Sequence, residues 1–435
     1  MLLSAQPSYL TEVRLTAFKS FHDAVLPLEP FTLLVGRNGS GKSNALDALT
    51  ALARLAGGED IRDALDGGSE GPAVRGGVQG CAPFAESAFS LGCTVRTGRT
   101  EVALDVTVQT EPVVQVVKET LRVNGKKVLR TNSPNPDSAD ISARWSNQAV
   151  GPDPTVSFRA SRLLTTQVTS RIEPTDAGRT IHRAAAQVLA ALQGVFVLDP
   201  VPHGMRQYVP RRDSLLRRNA ENLSAAVATL IESQPTREMI SDALGRLNEQ
   251  HIGGIDVASS TLDDVMLTLE EGDPGHAVPA RLMSDGSLRF LAVLTALMQT
   301  PEADDTDGTA ASEDVAGQRT VVIEELENGL HASQARHLVE LVRDQVHRRR
   351  VRALATAHSP ALLDAFRGDE HRSVVVCQRD DAGRSTLTPL VDLPGYLRVV
   401  AGGGLGRAAV EDRLRTVDEG SEAASLVDDI LTGGL

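Results

Sequence analysis

The chain has 435 residues, 41% of them hydrophobic and 23% charged, and a formal net charge of −13, which is ordinary globular composition with room for two or three core-sized units. That charge excludes a chain-wide basic surface for gripping nucleic acid, and 3% aromatic residues offer little for stacking single-stranded bases. Three scattered cysteines (Cys81, Cys93, Cys377) without a CxxC pair exclude a disulfide frame or zinc site, and no stretch approaches the ~18 apolar residues of a membrane span.

The N-terminal MLLSAQPSYLTEVRL has no basic region followed by an apolar core, so a soluble, cytoplasmic protein is expected. Val13, Leu15 and the Phe18–Phe21 FKSF predict a first strand, and Ala24 to Leu28 a second. Phe31 to Val35 is an apolar, β-prone run that breaks at Gly36, and the loop through Ser43 opens a helical pattern in Leu46, Leu49 and Leu52. Strand, glycine loop and helix in this order shape a polyphosphate site: the loop turns N–H groups inward, and the helix start adds unpaired N–H groups and its positive dipole end. Lys42 would reach the outer phosphates and Ser43 would ligate Mg²⁺.

Residues 57–83 have the glycine and acidic composition of a loop. Phe89 to Val95, Glu101 to Val108, Val116 to Val123 and Lys127 to Leu129, separated by turns such as Thr97-Gly98 and Asn124-Gly125, predict an antiparallel meander, with 131–155 a mobile loop. Helical periodicity follows in Ile181 to Gln193, Asn222 to Glu232 and Arg237 to Gln250, interrupted by the apolar run VFVLDPVP; none sustains heptads, which argues against a long coiled-coil arm. Basic clusters at Arg211, Arg212, Arg217 and Arg218 and at Arg348, Arg349, Arg350 and Arg352 are the local patches on which DNA contact would rest, although such runs are ordinarily solvated faces.

Ser284 and Gly286, in MSDGSLRF, start an apolar-faced helix through Leu291, Leu294 and Leu297 and form a second anion-binding helix end. Residues 301–318, acidic, small and free of large hydrophobes, read as a disordered insert. Thr320 to Ile323 is a buried-strand pattern that delivers Glu324 and Glu325 to a phosphate crevice, one for the Mg²⁺ shell and the next for the attacking water. Arg352 to Thr356 predicts another strand, and His358 at its end can touch a γ-phosphate. Each feature alone has a plain explanation: Ser284 a helix cap, the glutamates a charged loop, His358 a turn residue. Their order carries the argument.

That order is the order of ABC-type ATPase heads. FKSF, GRNGSGKSN, MSDGSLRFLAVL, VVIEELENGLH and ATAHSPALLD resemble the branch that includes the SMC, RecF and overcoming-lysogenization-defect proteins, small bacterial “predicted ATPases” among them. The resemblance implies an α/β P-loop NTPase fold, an ABC/SMC-type head with an antiparallel β subdomain and a helical lobe, and ATP with Mg²⁺ as cofactors. It makes Gly36, Asn38, Gly39, Ser40, Gly41, Lys42, Ser43 and Asn44 the Walker A loop, Glu324 with Ser43 the metal side, Glu325 the catalytic base and His358 the switch histidine. Ser284 and Gly286 become the signature motif that meets ATP held by a second subunit. Glu324 departs from the usual aspartate, Leu326 from the usual proline and Asp285 from the usual glycine. Gln167, with Gln79 behind it, is the choice for the Q-loop.

By this resemblance residues 1–435 form one discontinuous head. Its nucleotide-binding core is 10–56 and 280–400, its antiparallel β subdomain 85–165, its helical lobe 166–279, its insert 301–318 and its helical tail 401–435. The expected activity is ATP hydrolysis in an ATP-dependent homodimer that acts as a switch for a DNA-linked partner in repair or anti-phage defence. A nuclease or other effector would be a separate protein, because the tail is too short for an added domain. A transporter's nucleotide-binding subunit shares the motif order and is the alternative; the SDG signature, the FKSF start and the lack of an obvious coupling face stand against it. A P-loop kinase would need an acceptor site and no signature motif.

Overall fold

The computed structural model describes residues 6–67, 74–134, 138–247, 251–272, 275–299, 316–394, 396–401 and 404–410. The strand Phe31–Val35 is buried throughout and packs on both faces. Phe31, Leu33 and Val35 join a core with Leu291 and Leu294 of the helix Asp285–Met298 and Leu338 and Val342 of the helix Ala332–Arg349. Leu34 joins a second core with Leu46, Leu49 and Leu52 of the helix Lys42–Leu55 and Ile181 and Val188 of the helix Asp176–Gln193. A strand covered on both faces needs an unbroken apolar run, and FTLLV supplies it.

Arg352–Ala357 and Val374–Arg379 flank this strand in parallel; Thr320–Ile323 lies beyond the former and Val195–Leu198 beyond that. Val35, Ile323 and Ala357 therefore end at one edge of the sheet, where their loops converge. On the other side Ser385–Pro389 pairs antiparallel with Val374–Arg379 and meets Phe21–Pro27 at one Cα pair, Ser385 with Phe21. Tyr9–Phe18 and a meander continue the same sheet, fourteen strands in all among the described residues.

The meander contains the four expected strands, at Ala88–Thr97, Thr100–Gln109, Gln115–Val123 and Lys126–Thr131. It also contains Asp140–Trp145 and Thr155–Arg159, which corrects the mobile-loop reading of 131–155. Ile141 and Ala143 alternate inward within a stretch whose surrounding Ser, Asn and Asp hid the period. Glu119 is fully buried in the meander and accepts from the N–H groups of Leu164 and Thr165 and the Thr165 hydroxyl, tying the meander to the next segment. Burial pushes its carboxyl above the ordinary value, against the pull of those three hydrogen bonds.

The expected helical lobe, 166–279, is only partly helical. VFVL is an edge strand of the main sheet, and Ile252–Ser259, Asp264–Glu271, His276–Pro279 and Val209–Pro210 form a separate four-stranded sheet. The paired glycines of IGGIDVAS and the charged ends of DVMLTLEE masked these strands. Of the expected insert, 301–315 lie outside the described residues, whereas 316–318 are packed: Ser8 N–H donates to Ala316 O and Gln318 N–H to Ser8 O, both at 2.7 Å. The helix Tyr396–Ala401 ends at the first residue of the expected tail, 401–435, and the helix Leu405–Val410 lies within it; 402–403 and 411–435 lie outside the described residues. All three cysteines are buried free thiols, and no described helix is long and apolar enough to cross a membrane.

Candidate functional site

The loop from Gly36 to Gly41 cannot carry side chains at its ends. A Cβ on Gly36 would lie 2.2 Å from Cys377 O, and one on Gly41, which has φ 115°, would lie 2.3 Å from Ser385 Oγ. The outer wall also fixes the loop carbonyls: Arg379 Nε donates to Gly39 O at 2.7 Å and Ser385 Oγ to Ser40 O at 2.6 Å. Lys42 is 8% exposed and its Nζ donates to Gly36 O at 2.6 Å and Arg37 O at 3.1 Å. Burial holds its ammonium below the ordinary value, against the field of Cys377, Glu325, Glu327 and Glu324.

Ser43 Oγ donates to Glu324 Oε1 at 2.6 Å, joining the helix start to the end of the Thr320–Ile323 strand. Next to them Glu325 takes φ 53°, a left-handed conformation unusual for a side chain of this kind. Its N–H donates to Thr356 Oγ1 at 2.9 Å, and its Oε1 lies 3.5 Å from His358 Nε2. Glu327 holds the backbone of that histidine: its Oε1 accepts from His358 N–H at 2.6 Å and Ser359 N–H at 2.8 Å.

Ser284 caps the helix Asp285–Met298 by accepting from Ser287 N–H at 3.0 Å. Gly286 lies against the loop that follows the carboxylates, where a Cβ would meet Gly329 O at 2.4 Å. Asp285, the departure from the expected glycine, accepts from Arg206 Nη2 at 2.6 Å. Among the described residues no hydrogen bond joins Ser284 or Gly286 to 36–44 of the same chain. Asn38 and Gly39 are exposed at the loop tip, and Asn44 turns away to donate to Ser20 Oγ at 2.8 Å.

Gln167 is not at the site. Its amide exchanges hydrogen bonds with the Arg159 backbone, and Gln79 is an exposed residue of a short 3₁₀ turn. The place beside the Ser43–Glu324 pair belongs to Arg75. Its Nη2 donates to Ser43 O at 2.9 Å, its Nη1 to Glu324 Oε1 at 3.2 Å and its Nε to both oxygens of Asp47. Burial works against the Arg75 charge, but Asp47 and Glu324 outweigh it and hold the guanidinium above its ordinary value. Lys19 Nζ bonds Asp47 Oδ2 and Arg75 O, each at 2.7 Å.

These residues fit a magnesium–nucleotide. The glycine loop has no room for a Cβ at Gly36 or Gly41, the buried Ser40 Oγ has no partner, and the first-turn N–H groups from Lys42 on have no acceptor within their helix. Ser43 Oγ and Glu324 Oε1 together offer a hard cation two oxygens.

The model of the family described as “AAA domain, putative AbiEii toxin, Type IV TA system” matches residues 31–364, from the strand before the glycine loop to just past His358. The chain belongs to this AAA-domain family. The α/β fold, with its glycine loop between a buried parallel strand and a helix, is the one that the resemblance implied.

Among solved structures, this AAA domain is similar to an Smc head bound to the C-terminal winged-helix domain of ScpA, at 14% identity over 87% of this chain and 97% of that one, with a TM-score of 0.46. An SMC head domain from Thermotoga maritima gives 13%, 88%, 98% and 0.42, and the recombination mediator protein RecF of the RecFOR pathway 12%, 88%, 99% and 0.40. No curated protein matches the sequence.

Proposed function

We propose that this AAA domain binds ATP with Mg²⁺ in the 36–44 loop, hydrolyses it, and closes as an ATP-dependent homodimer that switches a separate DNA-linked partner. The observation that carries the reading is the Ser43–Glu324 contact at 2.6 Å beside a glycine loop whose ends, Gly36 and Gly41, leave no room for a Cβ. Lys42 would exchange its two loop carbonyls for phosphate oxygens, and Ser43 and Glu324 would hold the metal. Bound there, Mg²⁺ would neutralise charge on the outer phosphates. Glu325 would take the proton of the attacking water, and His358 beside it would orient toward the terminal phosphate. Ser284 and Gly286, unconnected to their own loop, would present the start of their helix to the partner subunit's nucleotide. The family description names a toxin–antitoxin system, which favours a defence partner over a repair one.

Purified Glu325→Gln should bind ATP, turn it over at least 10²-fold more slowly than wild type, and accumulate a dimer in size exclusion with light scattering. Lys42→Ala should lose ATP binding. Wild-type turnover by Lys42→Ala would remove the nucleotide from this loop, and normal turnover by Glu325→Gln would move the base.

A further inference from the structure

At the edge of the parallel strands opposite the glycine loop, Phe31 and Arg352 begin their strands in the wall of a cleft of about 680 Å³. Arg343, the exposed His347 and the exposed Arg350 line it from the helix Ala332–Arg349 and the turn after it. Glu370 is the one acidic residue in the lining, and it is engaged: Arg343 bonds both its oxygens, at 2.7 and 3.0 Å. Three guanidiniums against one carboxylate leave a surplus of two positive charges in a chain whose formal net charge is −13.

Arg352 is the unusual member. It is 7% exposed, its Nη2 donates to Leu28 O at 2.5 Å, and its guanidinium lies 4.9 Å from the centre of the Tyr9 ring. Its buried Nε has no hydrogen-bond partner, and among the described residues it forms no ion pair. Burial holds it below its ordinary value. The fields of Tyr9 and Glu29 oppose this only in part; a cation taken out of water without a paired carboxylate is costly, and supplying an anion relieves that cost.

We propose that this cleft is a second anion site, separate from the glycine loop, which takes a small phosphate-bearing ligand of two or more negative charges, with Arg352 and Arg350 as its cations and His347 beside them. Guanidinium forks match phosphate oxygens in shape, the surplus of two charges suits a phosphoryl or diphosphate group better than a single carboxylate, and the volume is that of a small-molecule pocket. An acidic chain with its cations gathered in a cleft offers no extended track for a nucleic-acid backbone.

The test titrates inorganic pyrophosphate calorimetrically into the full chain saturated with Mg²⁺ and ADP, and separately into Lys42→Ala, so that it does not depend on the glycine loop. One pyrophosphate per chain is expected in both. Affinity should fall at least tenfold in Arg350→Gln, an exposed change that keeps the fold, and in Arg352→Gln if that variant folds, with ADP affinity unchanged. Hydrogen exchange should show protection of 343–352 and 366–373. The proposal is overturned by absent saturable binding, by undiminished affinity in Arg350→Gln, or by protection confined to 36–44. A short DNA duplex that binds through Arg350 and is not displaced by pyrophosphate would overturn it in favour of a nucleic-acid surface.

Discussion

Glu327 grips the backbone of His358, while the neighbouring Glu325 faces its imidazole. One Glu327 oxygen accepts from the His358 and Ser359 N–H groups, and its other oxygen is buried without a partner. Two carboxylates two residues apart thus have different surroundings: Glu327 holds the loop, and the half-exposed Glu325 meets His358 and Asn328 with its side chain. Glu327→Ala should cost about 1–3 kcal/mol in urea denaturation, because two N–H groups lose their acceptor, and should lower ATP turnover with it. Glu325→Gln should leave stability within about 0.5 kcal/mol of wild type, as a half-exposed change with no buried partner does. Equal stability losses in the two variants would contradict this division.

The second prediction concerns the helix start at Ser284. Ser284→Arg should still bind ATP as a monomer but fail to dimerise or hydrolyse it, since a bulky cation would fill the helix end at which the proposed dimer would place the partner's phosphate. Mixing it with Lys42→Ala should rebuild one complete site per heterodimer and recover part of the turnover. Full activity of Ser284→Arg alone, measured by phosphate release, would rule out a shared site.

Arg75 occupies the flank of the proposed metal pair, so its charge competes with a cation for Glu324. Arg75→Gln should therefore bind Mn²⁺ a few-fold more tightly than wild type when no nucleotide is present, read by electron paramagnetic resonance. Asp47 keeps its bond to Lys19 in the variant, so the fold should persist. Unchanged or weaker Mn²⁺ binding would make Arg75 a support of the site.

Glu119 makes stability depend on pH in a known direction. Its folded value lies above its unfolded one, so its contribution is complete below the ordinary carboxylate range and is lost as pH rises through the raised value. Unfolding free energies of wild type and Glu119→Gln should therefore diverge with rising pH, the wild type losing ground. A difference between them that stays constant from pH 4 to pH 8 would show that Glu119 titrates alike in both states.

The legible parts of the site are those whose chemistry is local in the chain. GRNGSGKS declares its loop because lysine, serine and glycine spacing are all set within eight residues, and VVI followed by two glutamates declares a buried strand with polar ends. Arg75 was not legible. It precedes a pair of glycines and finds Ser43, Asp47 and Glu324 only through the fold, so no periodicity marks it. Likewise Val195–Leu198 reads as a short apolar run until its pairing with Thr320–Ile323 makes it the edge of the main sheet. The strands at 252–279 were missed where glycines and charged ends broke the alternation.

The seam between the parallel strands and the meander has a mechanical meaning. The ladder there narrows to the Ser385–Phe21 pair, and the Ser385 hydroxyl bonds Ser40 O at 2.6 Å and lies 2.7 Å from Ser20 Oγ. The thinnest joint in a fourteen-stranded sheet is thus also a rivet through the glycine loop. Any reshaping of that loop therefore reaches the narrowest ladder of the sheet directly, through the hydroxyl of one serine.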